Sequence, residues 1–118
     1  MNKVLIIEDD PAALSLLKDF LLSKGLDVST AVDGLEGLEK VKALKPDLIL
    51  LDVMMPKLDG YGFVRELKKI PDLRAMPIIV LTAREMMRDV FVQEGVKHFI
   101  TKPYDPAELY KTVQKYLQ

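Results

Sequence analysis

Four apolar runs in this chain each give way to a side chain capable of chemistry. Val4-Leu5-Ile6-Ile7 runs into Glu8-Asp9-Asp10, and Asp47-Leu48-Ile49-Leu50-Leu51 into Asp52. Pro77-Ile78-Ile79-Val80-Leu81 ends at Thr82, and His98-Phe99-Ile100 at Thr101-Lys102-Pro103. If these ends share one edge of a sheet, they assemble three carboxylates, a hydroxyl and an ammonium. Carboxylates ~5 Å apart repel by about 3 kcal/mol per pair at an effective dielectric of ~20. A hard divalent cation relieves that repulsion, and Mg²⁺ suits one or two carboxylates, a carbonyl and waters. A phosphoryl group fits beside it, its oxygens held by the cation, the Thr82 hydroxyl and the Lys102 charge. One carboxylate is then left to act as nucleophile.

The intervening segments supply the scaffold for that edge. Asp10-Pro11 starts a helix, with Asp as cap and Pro in the first turn; Leu14, Leu17 and Leu21 repeat at helical spacing up to Gly25. A short strand fits around Val28–Ala31, and Asp33-Gly34 opens a second helix with Leu35, Leu38 and Val41 on one face, closed before Pro46. Phe63, Leu67 and Ile70 mark a third helix, a short helical stretch stops at Gly95, and Asp105 with Glu108 reads as a capping box for a last helix carrying Leu109, Val113 and Leu117. Strand and helix alternate five times. The first, third and fourth strands are apolar on both faces, which requires helices on both sides of a parallel sheet: a doubly wound α/β fold. Ligands of such sheets sit beyond the carboxyl ends of the strands.

The 118 residues, 49% hydrophobic and 30% charged, fit a single folded domain spanning 1–118. No window reaches the ~18 consecutive apolar residues of a membrane span, and the first residues lack the pattern of a signal peptide. With no cysteine there is neither a disulfide framework nor a zinc knuckle. A cytoplasmic domain is the expectation. Net charge is −1, which argues against nucleic-acid binding. Residues 1–59 nevertheless hold 7 basic and 11 acidic side chains (net −4), and residues 60–118 hold 10 and 7 (net +3).

At Ile6-Ile7-Glu8-Asp9-Asp10, Leu50-Leu51-Asp52-Val53-Met54-Met55-Pro56 with Asp59-Gly60, Val80-Leu81-Thr82-Ala83 and Thr101-Lys102-Pro103, the sequence resembles the response-regulator receiver family, the phosphoacceptor half of two-component signalling. The resemblance covers the whole chain. It implies a flavodoxin-like sheet of five parallel strands in order 2-1-3-4-5. It also implies that Asp52 is phosphorylated by a histidine kinase or phosphotransfer protein, that Asp9 ligates Mg²⁺ (or Mn²⁺) directly, and that Glu8 acts largely through water. The Met54 carbonyl would be a further ligand, Thr82 the switch hydroxyl, Lys102 the partner of the phosphoryl group, and Phe99 the aromatic that turns inward when Thr82 moves. The peptide bond to Pro103 is typically cis in the family, and Ala83 leaves room for the loop to shift. Output would leave through the fourth helix, fifth strand and fifth helix. Such a protein catalyses only its own modification and turns over no separate substrate.

Two features depart from the family. Thr82 and Lys102 are 20 residues apart, about two fewer than the resemblance implies, with the deficit in the loop and fourth helix. Met54 is apolar where a side chain overlooks the attacking water, so slow loss of the phosphoryl group is expected. Competing readings are a metal-dependent phosphohydrolase working through an aspartyl-phosphate, and an unphosphorylated interaction module of the same fold. The first lacks an acid two residues after Asp52, and the second leaves the retained pocket residues without a use. A nucleotide site is weaker, because no Gly-rich loop follows a strand. The single histidine, His98, reads as an exposed strand residue, and Arg84, Arg88, Lys97 and Lys111 as a solvated face.

Overall fold

Strands that are apolar on both faces must be covered twice, and the computed structural model shows how. It describes residues 2–52, 60–82 and 88–117. In chain order the elements are β1 (Lys3–Ile7), α1 (Pro11–Ser23), β2 (Asp27–Ala31), α2 (Gly34–Leu44), β3 (Leu48–Asp52), α3 (Gly60–Lys68), a 3-10 turn (Pro71–Leu73), β4 (Ile78–Thr82), α4 (Arg88–Gln93), β5 (His98–Thr101) and α5 (Pro106–Tyr116). All strand pairs are parallel, in the order β2-β1-β3-β4-β5. The parallel sheet is what the alternation implies, and its order is the flavodoxin-like one that the resemblance implies.

The sheet divides the core into two layers by the alternation of its side chains. Leu5, Ile7, Ile49, Leu51 and Val80 face α2, α3 and α4, where they meet Val41, Phe63, Val64, Leu67 and Phe91. Val4, Ile6, Leu48, Leu50, Ile79 and Leu81 face α1 and α5, where they meet Leu17, Leu21, Leu109 and Val113. β1, β3 and β4 are thus the buried strands; β2 and β5 form the edges.

Helix ends follow the chemistry of their caps. The Asp10 carboxylate accepts from the Ala12 N–H at 3.2 Å, and Asp105 accepts from the Ala107 N–H at 3.1 Å. The bond at Asp105 closes on Ala107 rather than on Glu108, so the expected box geometry is not the one adopted there. A reciprocal box stands instead at α2: Asp33 accepts from the Glu36 N–H at 2.8 Å while Glu36 accepts from the Val32 N–H at 3.0 Å. Gly25 and Gly95, at φ +83° and +92°, terminate α1 and α4 in the left-handed region that glycine adopts without penalty.

Three expectations are corrected. Leu35 is 51% exposed, and α2 buries Gly34, Gly37 and Val41 instead. A glycine face lets the helix lie close to the sheet: a Cβ on Gly37 would meet Ile7 Cδ1 at 2.6 Å and Phe63 Cε1 at 3.3 Å. Ile70 lies beyond the end of α3 and packs on the core edge from the turn that follows. His98 is half-buried, its ring edge-on to Tyr116 with centroids 5.1 Å apart and its Nδ1 hydrogen-bonded to the Tyr116 hydroxyl. A strand residue at a sheet edge is still covered when the last helix crosses it.

The close seat of α2 can be tested directly. Gly37→Ala should gain ~1 kcal/mol of helix propensity and lose ~1–3 kcal/mol to overpacking against fully buried neighbours. A net loss of about 1 kcal/mol in urea denaturation is expected; a stabilised variant would show that α2 does not depend on this contact.

Candidate functional site

The acidic edge is built by strand ends. β1 continues its pairing one residue past Ile7, because the Glu8 N–H donates to the Ala31 carbonyl at 3.0 Å. That bond fixes Glu8 beside the end of β3, whose last residue is Asp52. Asp52 lies in register with Leu81, one residue before Thr82, and Thr82 is in register with Thr101, one residue before Lys102. The four strand ends therefore meet at one edge, with Glu8 and Asp52 held by backbone pairing and Lys102 one residue beyond it.

Glu8, Asp9 and Asp52 each bring a carboxylate oxygen within 4.8 Å of the others. Glu8 and Asp52 are buried, at 4% and 7% exposure, whereas Asp9 is exposed. The Lys102 ammonium lies 3.2 Å from Glu8 Oε1 and 3.2 Å from Asp52 Oδ1, so one cation bridges the two buried acids. An open cleft of ≈520 Å³ leads to the cluster, lined by Glu8, Asp10, Ala13, Lys102, Pro103 and Tyr104. Asp10 is tied to its helix as a cap.

Burial and the hydrogen bond and charge of Asp52 push the Glu8 carboxyl up to about 7, although Lys102 works against the shift. Burial also disfavours the Lys102 ammonium, but the Asp52 and Glu8 charges outweigh it and raise its pKa. One ammonium does not neutralise two buried carboxylates, and the pair retains a proton near neutrality. Three convergent oxygen donors with surplus negative charge suit a hard divalent cation, which would displace that proton on binding.

The structure brings together Glu8, Asp9, Asp52 and Lys102. Met54 and Ala83 lie outside the described residues, as does the side chain of Thr82, whose backbone ends β4. Lys102 and Pro103 are joined by a cis peptide bond. Phe99 is half-buried, with its ring edge-on to Phe91 at 6.4 Å; Phe91 in turn meets Tyr61 at 5.9 Å. Sequence reasoning did not single out Phe91, whose flanking Val90 and Val92 gave no hint that the aromatic was the core position. Tyr104 in the cleft wall was missed too, although it directly follows Lys102-Pro103.

Residues 4–114 match the family described as the response regulator receiver domain. The chain belongs to that family. It is similar to the DNA-binding dual master transcriptional regulator RpaA of Synechocystis sp., at 37% identity over all of this chain and 50% of that protein. It is also similar to the alkaline phosphatase synthesis transcriptional regulatory protein PhoP of Bacillus subtilis, at 38% identity over 99% of this chain and 49% of that one. The receiver thus spans about half the length of these two relatives. Among solved structures, the Vibrio cholerae chemotaxis protein CheY4 superimposes with a TM-score of 0.92 at 31% identity, covering 99% of both chains. The receiver domain of the Pseudomonas aeruginosa sensor histidine kinase PA1611, with a magnesium ion coordinated in its active-site cleft, gives 0.90 at 31% identity over 98% of this chain and 97% of that one.

The buried acid pair dictates a pH dependence for the metal-free receiver. Glu8 is raised from 4.5 unfolded to about 7 folded, so the folded state holds the extra proton and loses stability as pH rises between those values. The loss is up to about 3 kcal/mol, complete above neutrality. In EDTA, urea denaturation from pH 5 to 8 should show this slope in the native protein and a flatter one in Glu8→Gln. Parallel profiles would show that Glu8 does not carry the proton.

Proposed function

We propose that this receiver is a phosphorylatable signalling switch with Asp52 as phosphoacceptor. The observation that supports it best is the convergence of two further carboxylates and the Lys102 ammonium on that one buried aspartate. The donor is the phosphohistidine of a histidine kinase or phosphotransfer protein. An Asp52 oxygen bonds to phosphorus as the phosphorus–nitrogen bond breaks, and the electron pair returns to the donor imidazole.

Mg²⁺ is the cation that best suits this donor set; by the family resemblance Asp9, Asp52 and the Met54 carbonyl would hold it, and Glu8 would act largely through water. When bound, it neutralises the phosphoryl oxygens. The chain's own residues do the rest. Lys102, already poised at Asp52 Oδ1, swings to a phosphoryl oxygen, and the Thr82 hydroxyl takes another. Phe99 then repacks against Phe91, biasing the surface of α4, β5 and α5 on which a protein partner reads the state. The chain acts on itself and does not turn over a substrate. Among the described residues no helix is long and apolar enough to cross a membrane, and we assign the receiver to the cytoplasm, where it meets its donor.

Incubation with a small phosphodonor and Mg²⁺ should add one phosphoryl group by intact mass, and Asp52→Asn should abolish the addition. Absence of uptake in the native protein would refute the switch, and multiple turnover of donor would favour a phosphohydrolase. Met54→Asn supplies a polar group that can orient water and should shorten the lifetime of the phosphorylated form several-fold. An unchanged lifetime would remove Met54 as the cause of slow hydrolysis.

A further inference from the structure

The basic excess of residues 60–118 has no role in the acidic site beyond Lys102. Three of its cations, Lys68, Arg74 and Lys97, line a single cavity of ≈290 Å³ together with Pro77, Val96 and Tyr116. Pro77 immediately precedes β4 and Lys97 immediately precedes β5, so the cavity lies at the edge where strands begin, opposite Asp52. Among the described residues no acidic side chain lines it and no carboxylate forms an ion pair with any of the three cations.

The cavity has built walls. Lys68 Nζ donates to the Arg74 carbonyl at 2.6 Å and sits over Gly95, where a Cβ would meet it at 3.7 Å. One ammonium thus spans the end of α3, the turn before β4 and the turn before β5. Burial lowers its pKa, with the charge of Glu94 acting the other way. The Tyr116 ring is held from behind by His98, which meets it edge-on and bonds its hydroxyl. A cation near the end of α3 also complements the helix dipole, but Arg74 follows a 3-10 turn and Lys97 precedes a strand, so that explanation covers Lys68 alone.

We propose that this cavity binds a small polyanion, with its oxyanion groups among Lys68, Arg74 and Lys97 and its apolar part against Pro77, Val96 and the Tyr116 ring. Its volume lies at the small end for ligand pockets and suits a small molecule rather than a peptide helix. The planar guanidinium of Arg74 can engage a phosphate or a carboxylate through paired hydrogen bonds. The site is separate from the phosphoacceptor, so either reading can fail without the other.

The test uses the full chain carrying Asp52→Asn, in EDTA, titrated with pyrophosphate and separately with citrate. Binding should raise the melting temperature by a few degrees through linkage and shift the backbone amide signals of Gly95 and Lys97. Adding Arg74→Gln and Lys97→Gln together should weaken the response about tenfold or more, while the same pair in the native background leaves phosphodonor uptake at Asp52 unchanged. A response to pyrophosphate alone would assign the site to phosphates, and one to citrate alone to polycarboxylates. No response to either anion, or an equal response in the double variant, would overturn the proposal.

Discussion

The Lys102 ammonium is the counter-charge on which the acidic edge depends. Glu8 and Asp52 end adjacent strands, β1 and β3, and their burial would be untenable without a cation between them. Lys102 follows β5, two positions across the sheet from β3. With neighbouring strands ~4.8 Å apart, only a long side chain leaning inward covers that distance. The register that places Thr82 opposite Thr101 carries Lys102 to the required height. The sheet order and the ion bridge are therefore one constraint seen at two scales.

Much of this arrangement is legible in the sequence, because a strand that is apolar on both faces can only be interior, and a polar residue ending it can only emerge at an edge. Val4–Ile7, Leu48–Leu51 and Ile78–Leu81 announce themselves that way, and Glu8, Asp9, Asp52 and Thr82 follow from them, whereas Lys102 follows the half-buried edge strand β5. What periodicity does not convey is which acid is buried. Glu8 and Asp9 are adjacent and alike in charge, yet the Glu8 N–H continues the β1–β2 pairing and its side chain turns inward, while Asp9 faces solvent. Leu35 misled for a related reason. Hydrophobicity marks a buried face only where there is room for side chains, and α2 packs through glycine. His98 was unreadable because its cover, Tyr116, lies at the far end of α5.

Tyr61 and Phe91 are the least legible members of an aromatic series that reaches Phe99 and links α3, α4 and β5. Each contact is edge-to-face, the geometry ring quadrupoles favour. Rings packed in this way keep their contacts only in a few discrete arrangements, as expected of a close-packed core.

The ion bridge also has a consequence for how the chain acquires its site. Lys102 is 94 residues from Glu8 and 50 from Asp52. Contacts that close loops of that size, like parallel strand pairings, are among the slower to form. An emerging polypeptide that has completed β1 and β3 but not β5 holds its acids without their counter-charge. The counter-charge is thus added only when β5 joins the sheet, and the bridged acidic edge is a mark of that closure.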